Sequence, residues 1–200
     1  MAQEKTITAL LGGSFNPVHT GHLMVASYIR QFTKVDEVWM LLSPLNPLKD
    51  DPSALLPDLT RLKMLELATE DVDGVEVSDI ELSMPRPSYT INTLRFLSRR
   101  YPRRSFKLII GSDNWKNFNK WRNYQEIIDN YGVIIYPRPG YELPPIYDDG
   151  VDVVNAPTCD LSSTWIRSAI ARGKNLNIFL PEKVNDYIRE NGLYQKKQSE

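Results

Sequence analysis

Hydrophobic and polar positions alternate along this chain in two periods. Short apolar runs recur at 5–11 (K-T-I-T-A-L-L), 38–42 (V-W-M-L-L), 75–77, 106–110, 133–136 and 151–154, and each reads as a strand buried on both faces. Between them lie stretches of helical period. From Thr20 the spacing of Leu23, Ala26 and Ile29, with Met24, predicts a helix whose inner face carries those residues; Thr20 is its expected N-cap, which puts His22 in the first turn. Residues 58–70, with Leu62, Leu65 and Leu67, read as an amphipathic helix, and 88–99 as another. A helical stretch follows Gly111-Ser112-Asp113 through Ile128. Two helices close the chain, 162–172 stopped by Gly173 and 182–190 stopped at Asn191-Gly192. A proline-rich loop (Pro44, Pro47, Pro52, Pro57) follows the second strand, and P-R-P-G follows the fifth.

Strands alternating with helices predict an α/β fold: a single Rossmann-like domain over 1–194, with a mostly parallel twisted sheet, helices on both faces and a frayed tail over 195–200. In such sheets ligands sit at the carboxyl ends of the strands, at the switch point of the topology. The glycines at 12, 13 and 111 fall at strand ends, and so does the segment 162–167, after the last strand and a short loop.

Composition narrows the classes. The chain has 200 residues, 42% hydrophobic and 24% charged, with a formal net charge of −1, so nothing pulls it at long range toward nucleic acid or an anionic membrane. A single cysteine, Cys159, excludes an internal disulfide and suits a reducing compartment. With no apolar run long enough to cross a bilayer and no signal-peptide pattern, the expected location is the cytoplasm.

Both histidines of the chain, His19 and His22, stand in the stretch G-G-S-F-N-P-V-H-T-G-H at residues 12–22. Glycines after a strand let backbone N–H groups approach a ligand, and a helix start attracts anions. Neither G-x-G-x-x-G nor the P-loop pattern occurs, so a different phosphate grip is expected. Two imidazoles at i and i+3 can hydrogen-bond phosphate oxygens from one side. A metal pair completed by carboxylates and two ordinary surface histidines are the alternatives. Asp113 reads equally as a helix cap or as an acceptor for a ribose hydroxyl. Trp115, Phe118, Trp121 and Tyr124 recur at every third position, which is usually core packing.

The stretch resembles the G-x-F-x-P-x-H-x-G-H signature of the nucleotidyltransferase superfamily, and Ser162-Ser163-Thr164-Trp165-Ile166-Arg167 matches its second signature, S-S-T-x-I-R. Within that superfamily the chain is similar to the bacterial nicotinate-nucleotide adenylyltransferases. R-P-S-Y-T-I-N-T-L at 86–94, I-I-G-S-D-N-W-K-N-F-N-K-W at 109–121, P-R-P-G at 137–140 and Y-I-R-E-N-G-L-Y at 187–194 carry that likeness. The resemblance implies adenylyl transfer from ATP, with Mg²⁺, to nicotinate mononucleotide, giving deamido-NAD and pyrophosphate. The alternatives are nicotinamide mononucleotide or another phosphomonoester as acceptor, or a non-catalytic nucleotide-binding module.

It further implies His19, His22 and Arg167 as catalytic groups. Gly12, Gly13, Ser14, Phe15, Gly111, Asp113, Ser162, Ser163 and Thr164 would join them around ATP. Ser14, Lys49, Tyr89, Thr90 and Trp121 would hold the mononucleotide, with Trp121 as a wall for the pyridine ring. No dedicated protein metal site is implied. One departure stands out: where the family often reads P-P-H-K, this chain has Asn46-Pro47-Leu48-Lys49, leaving Lys49 as the polar contact. Pro87 and Ser88 open a helix whose first N–H groups, around Tyr89 and Thr90, suit the acid's carboxylate.

Overall fold

In a computed structural model of the chain, residues 5–44, 55–143 and 149–195 are described below. Six strands, β1 (Thr6–Gly13), β2 (Glu37–Leu42), β3 (Val75–Ser78), β4 (Arg104–Gly111), β5 (Val133–Tyr136) and β6 (Val151–Val153), form one sheet in the order β3-β2-β1-β4-β5-β6. Every neighbouring pair is parallel. The chain leaves β1 toward one edge, through β2 and β3, then returns to pair β4 on the other side of β1. That reversal puts the switch point between the carboxyl ends of β1 and β4.

The apolar runs are buried on both faces, as parallel strands require. In β1, Ala9 and Leu11 join one half of the core, with side chains of α1 (Thr20–Phe32), α2 (Asp58–Thr69), α6 (Ser163–Ile170) and α7 (Glu182–Glu190). Leu10, between them, joins the other half, under α3 (Thr90–Arg100) and α5 (Tyr124–Asn130). The period of two in the strand thus places helices on both sides of the sheet.

Several boundaries differ from the sequence reading. β1 continues through Gly12 and Gly13, because these pair in register with Leu41 and Leu42 of β2. The N-cap of α1 is His19, not Thr20. Thr20 is drawn into the helix by the C-terminal segment: its N–H bonds the Phe179 carbonyl at 3.1 Å and its hydroxyl the Ile178 carbonyl at 3.1 Å. The buried stripe is therefore Val25, Ala26 and Ile29, with Leu23 partly buried and Met24 38% exposed. The stretch after Gly111 is a single turn α4 (Ser112–Trp115), a 3₁₀ turn Phe118–Lys120 and then α5. Asn123, at φ 53°, separates the last two, so of the aromatic stripe only Phe118 is fully buried.

α3 begins at Thr90, with Tyr89 as N-cap, rather than at Ser88. α6 begins at Ser163, with Ser162 outside it: the Ser162 hydroxyl accepts from the Trp165 N–H at 3.2 Å, a formed N-cap. Among the described residues no helix is long and apolar enough to cross a membrane.

Candidate active site

The two signature stretches, almost the whole sheet apart in sequence, meet at the start of α1. The Ser163 hydroxyl donates to the Pro17 carbonyl at 2.8 Å, and Arg167 Nη1 donates to the Asn16 carbonyl at 2.8 Å. Arg167 Nη2 reaches back to Thr164 Oγ1 at 3.3 Å, which holds the guanidinium over the loop. Asn16 is itself buried, and its Oδ1 accepts from the Tyr194 hydroxyl at 2.8 Å and from the Leu56 N–H at 3.3 Å. The loop between β1 and α1 is thus fixed by α6, by the C-terminal turn and by the segment leading into α2.

Inside that loop the imidazoles stack, with ring centroids 3.7 Å apart and planes 23° from parallel. The His19 N–H donates to Nδ1 of His22 at 3.2 Å, so the third residue of the helix caps its own start. Phe15 meets the His22 ring edge-on at 5.0 Å. Phe15 is buried and adopts φ 43°, in the left-handed region, so its side chain is a packing wedge rather than a cavity wall.

Two of the signature glycines have a steric reason. A Cβ on Gly13 would stand 3.0 Å from the Phe15 ring, and one on Gly21 would stand 3.1 Å from His19 Nδ1. Gly12 differs, with nothing within 4 Å of such a Cβ: its open face lies toward the cavity described next.

His19 is only 3% exposed, and its Nδ1 has no hydrogen-bond partner among the described residues. Burial, with the Arg138 guanidinium as a second cause, pushes this imidazole down to about 4, so it is neutral at physiological pH.

A cavity of about 600 Å³ opens beside this cluster, where β1, β2 and β4 end. Gly12, Gly13 and Ser14 line it on one side, Gly111 and Asp113 on another, and Tyr89, Thr90 and Trp121 close its far end. His19, His22, Arg167 and the 162–164 turn do not line it; they flank its β1 edge. The structure therefore sorts the expected residues into a basic cluster and an apolar-walled cavity, joined through Gly12 to Ser14. Lys49, with Leu48, lies outside the described residues. A second hollow, about 740 Å³, lies between α2 and β3 at the amino end of that strand, and none of the expected residues touches it.

Sequence reading missed residues in and around the cavity. Glu81 is 4% exposed; its carboxylate lines the cavity and accepts hydroxyls from Ser43 at 2.8 Å, Ser88 at 3.2 Å and Thr93 at 2.8 Å. Arg122 lies over the Tyr89 ring at 4.9 Å. At the β4–β5 end, Arg138 pairs with Asp113, Nε to Oδ2 at 3.9 Å, and its N–H donates to Ser112 Oγ at 2.9 Å. A Cβ on Gly111 would stand 2.3 Å from Asp113 Oδ1 and 2.8 Å from Arg138 Cγ, so any side chain there would displace this pair. Arg61, fully buried, donates to the carbonyls of Ser14, Ser43, Pro44 and Leu56 and pairs with Asp58, tying the ends of β1 and β2 together. Only the P-R-P-G at 137–140 carried a signal in sequence for any of these; the partners of the others are distant along the chain.

A parallel sheet with this strand order, and a strand-end cavity flanked by a histidine pair and an arginine, define a nucleotide-handling site of the nucleotidyltransferase class. A family model described as cytidylyltransferase-like matches residues 10–169, which contain both signatures. A Bacteroides thetaiotaomicron protein named "Probable nicotinate-nucleotide adenylyltransferase" is 46% identical over 190 residues, covering 93% of this chain and 92% of the relative. One of the same name from Flavobacterium johnsoniae is 44% identical over 187 residues, covering 92% and 96%. Among solved structures, the Plasmodium falciparum nicotinic acid mononucleotide adenylyltransferase complexed with NaAD superposes with a TM-score of 0.76 at 19% identity, covering 94% of this chain and 97% of that one. That likeness shows the shared fold. The chain belongs to the nicotinate-nucleotide adenylyltransferase family.

Proposed function

We propose that this protein transfers the adenylyl group of ATP to nicotinate mononucleotide, forming deamido-NAD and releasing pyrophosphate. The observation that carries the reading is the junction of the two signatures: Ser163 and Arg167 bond the carbonyls of Pro17 and Asn16, which lead directly into His19. This concentrates a guanidinium, two imidazoles and the start of a helix at the switch point, where a triphosphate needs them.

The chemistry asks little of acid–base groups. An oxygen of the mononucleotide phosphate attacks the α-phosphorus of ATP; a P–O bond forms there as the bond to the bridging oxygen breaks, and pyrophosphate leaves with the electron pair. The attacking phosphate is already anionic near neutral pH, so catalysis is positioning and stabilisation of charge. His19 and His22 hold the α- and β-phosphates. Arg167, with Ser162, Ser163 and Thr164 at the start of α6, holds the departing pyrophosphate. Gly12 and Gly13 let the backbone approach the nucleotide, helped by Ser14 and the main chain of Phe15. Asp113, with Gly111 clearing room beside it, accepts from a ribose hydroxyl.

At the far end of the cavity Trp121 walls the pyridine ring, and the uncapped start of α3 at Tyr89 and Thr90 receives the carboxylate. Lys49 and Ser14 complete the mononucleotide site. Mg²⁺, bound with ATP, would supply positive charge against its phosphates. Among the described residues no group of three His, Cys, Asp or Glu side chains is placed to hold an ion. Activity in the cytoplasm accords with this chemistry.

The test is to incubate the protein with Mg²⁺-ATP and a panel of phosphomonoesters and follow pyrophosphate. The acid mononucleotide should exceed the amide in kcat/KM by about 10² to 10⁴, because an amide turned into a site of N–H donors sets one donor against another. Equal values, or a preference for the amide, would overturn the substrate.

A further inference from the structure

We infer that Glu81 is a positioning residue for substrate recognition: it keeps the first turn of α3 uncapped so that the turn stays open to an anion. The inference rests on the reading of that turn as the carboxylate site.

A helix start exposes N–H groups with no partner in the helix, and a nearby serine or threonine hydroxyl ordinarily accepts from them. α3 has such a hydroxyl at hand. Ser88 immediately precedes the N-cap, where its oxygen could accept from the N–H two or three residues on, at Thr90 or Ile91. It does not do so. Its hydroxyl donates instead to Glu81 Oε2 at 3.2 Å, and no side chain caps the helix. Thr93, one turn into α3, has its hydroxyl held by Glu81 Oε1 at 2.8 Å. Ser43, at the end of β2, donates to Oε2 at 2.8 Å and fixes the carboxylate to the sheet.

The placement of Glu81 is costly for packing alone. Its carboxylate is buried, with no cation at ion-pair distance among the described residues, so three hydroxyls are all that compensate its desolvation. An apolar residue would fill the same volume without that cost. What the carboxylate does, and an apolar residue could not, is bind both hydroxyls that flank the first turn. The N–H groups at Tyr89 and Thr90 then remain unspent on the cavity wall. The carboxylate touches no reacting atom, so its effect falls on binding of the mononucleotide rather than on the chemical step.

The test is steady-state kinetics of Glu81→Gln with both mononucleotides. The glutamine keeps the shape but leaves one acceptor oxygen for three hydroxyls where the carboxylate offers two, which releases the hold on Ser88 and frees it to turn and cap the helix itself. KM for nicotinate mononucleotide should rise on the order of 10-fold and the acid-over-amide ratio should shrink by a similar factor, while kcat and KM for ATP stay within about twofold. Adding Ser88→Ala should then recover much of the loss, since no hydroxyl is left to close the turn; a merely structural role for Glu81 predicts no rescue. Should the glutamine variant not fold, Glu81→Asp, which keeps the charge but withdraws it by one methylene, carries the same expectation. A folded variant with unchanged KM and unchanged ratio, an equal loss toward ATP and mononucleotide, or a failure of Ser88→Ala to rescue overturns the role of Glu81. A wild-type protein indifferent to acid and amide instead overturns the substrate reading beneath it.

Discussion

Gly21 shows how one missing side chain can serve chemistry against stability. It sits in the first turn of α1, where alanine would favour the helix by up to about 1 kcal/mol. A Cβ there would meet the His19 ring at 3.1 and 3.2 Å, and that ring, buried and stacked on His22, would have to give by a few tenths of an ångström. On the proposed role of His19, Gly21→Ala should therefore leave Tm within a few degrees of wild type while lowering kcat by about 10-fold to 10²-fold, since small displacements of a group that positions phosphate are costly. Thermal melts and initial rates on the same preparation decide it; unchanged kcat would show that the ring position is not critical. His19 also makes a pH signature. Its folded value of about 4 lies below the ordinary 6.5, so between those limits the unfolded chain binds the extra proton. Its contribution is full above about pH 6.5 and is lost as pH falls toward 4, by up to about 3 kcal/mol. Comparing denaturant stability of wild type and His19→Gln at pH 7.5 and pH 4.5 should show the wild type losing more; parallel losses would refute the burial account.

At the scale of elements, Arg61 carries the argument. It lies on α2 but bonds the carbonyls of Ser14 after β1, Ser43 and Pro44 after β2 and Leu56 before its own helix, while Asp58 neutralises it and also pairs with the exposed Arg86. Arg61→Met keeps the stem but strands four carbonyls and takes one of two cations from Asp58, which keeps Arg86, so unfolding in urea should show a loss of about 3–5 kcal/mol. A loss under 1 kcal/mol would mean that water replaces the guanidinium without cost. The sequence made the strands legible because runs such as Leu108-Ile109-Ile110 are buried on both faces of a parallel sheet. The signature residues were legible because the two motifs are local. Glu81 and Arg61 were not, since, Asp58 and Leu56 aside, their partners stand 7 to 47 residues away and only the folded sheet brings them together. The N-cap at His19 escaped for the same reason: Thr20 is claimed by carbonyls 158 and 159 residues further on.

For the whole molecule, the reversal of strand order between β1 and β4 divides labour across one cavity. The basic cluster of His19, His22 and Arg167 flanks the β1 edge, fixed by α6 and the C-terminal turn. Trp121 and the start of α3 form the far end, carried by segments on the opposite face of the sheet. No hydrogen bond, ion pair or ring contact joins Trp121 to Arg167 among the described residues. The two ends should then behave as independent sites. On the proposed function, Trp121→Ala should raise KM for the mononucleotide about 10-fold with little change in ATP affinity, because it removes a wall of the cavity where the ring is proposed to sit. Arg167→Ala should lower kcat by about 10² to 10³ if it holds the pyrophosphate as proposed, because that charge is largest as the group departs. In the double variant the two losses in kcat/KM should add, expressed as free energies, to within about 0.5 kcal/mol. A coupling well beyond that would mean that closing the ring pocket helps to assemble the phosphate grip, and the rigid sheet between them would no longer account for how the two substrates are brought into line.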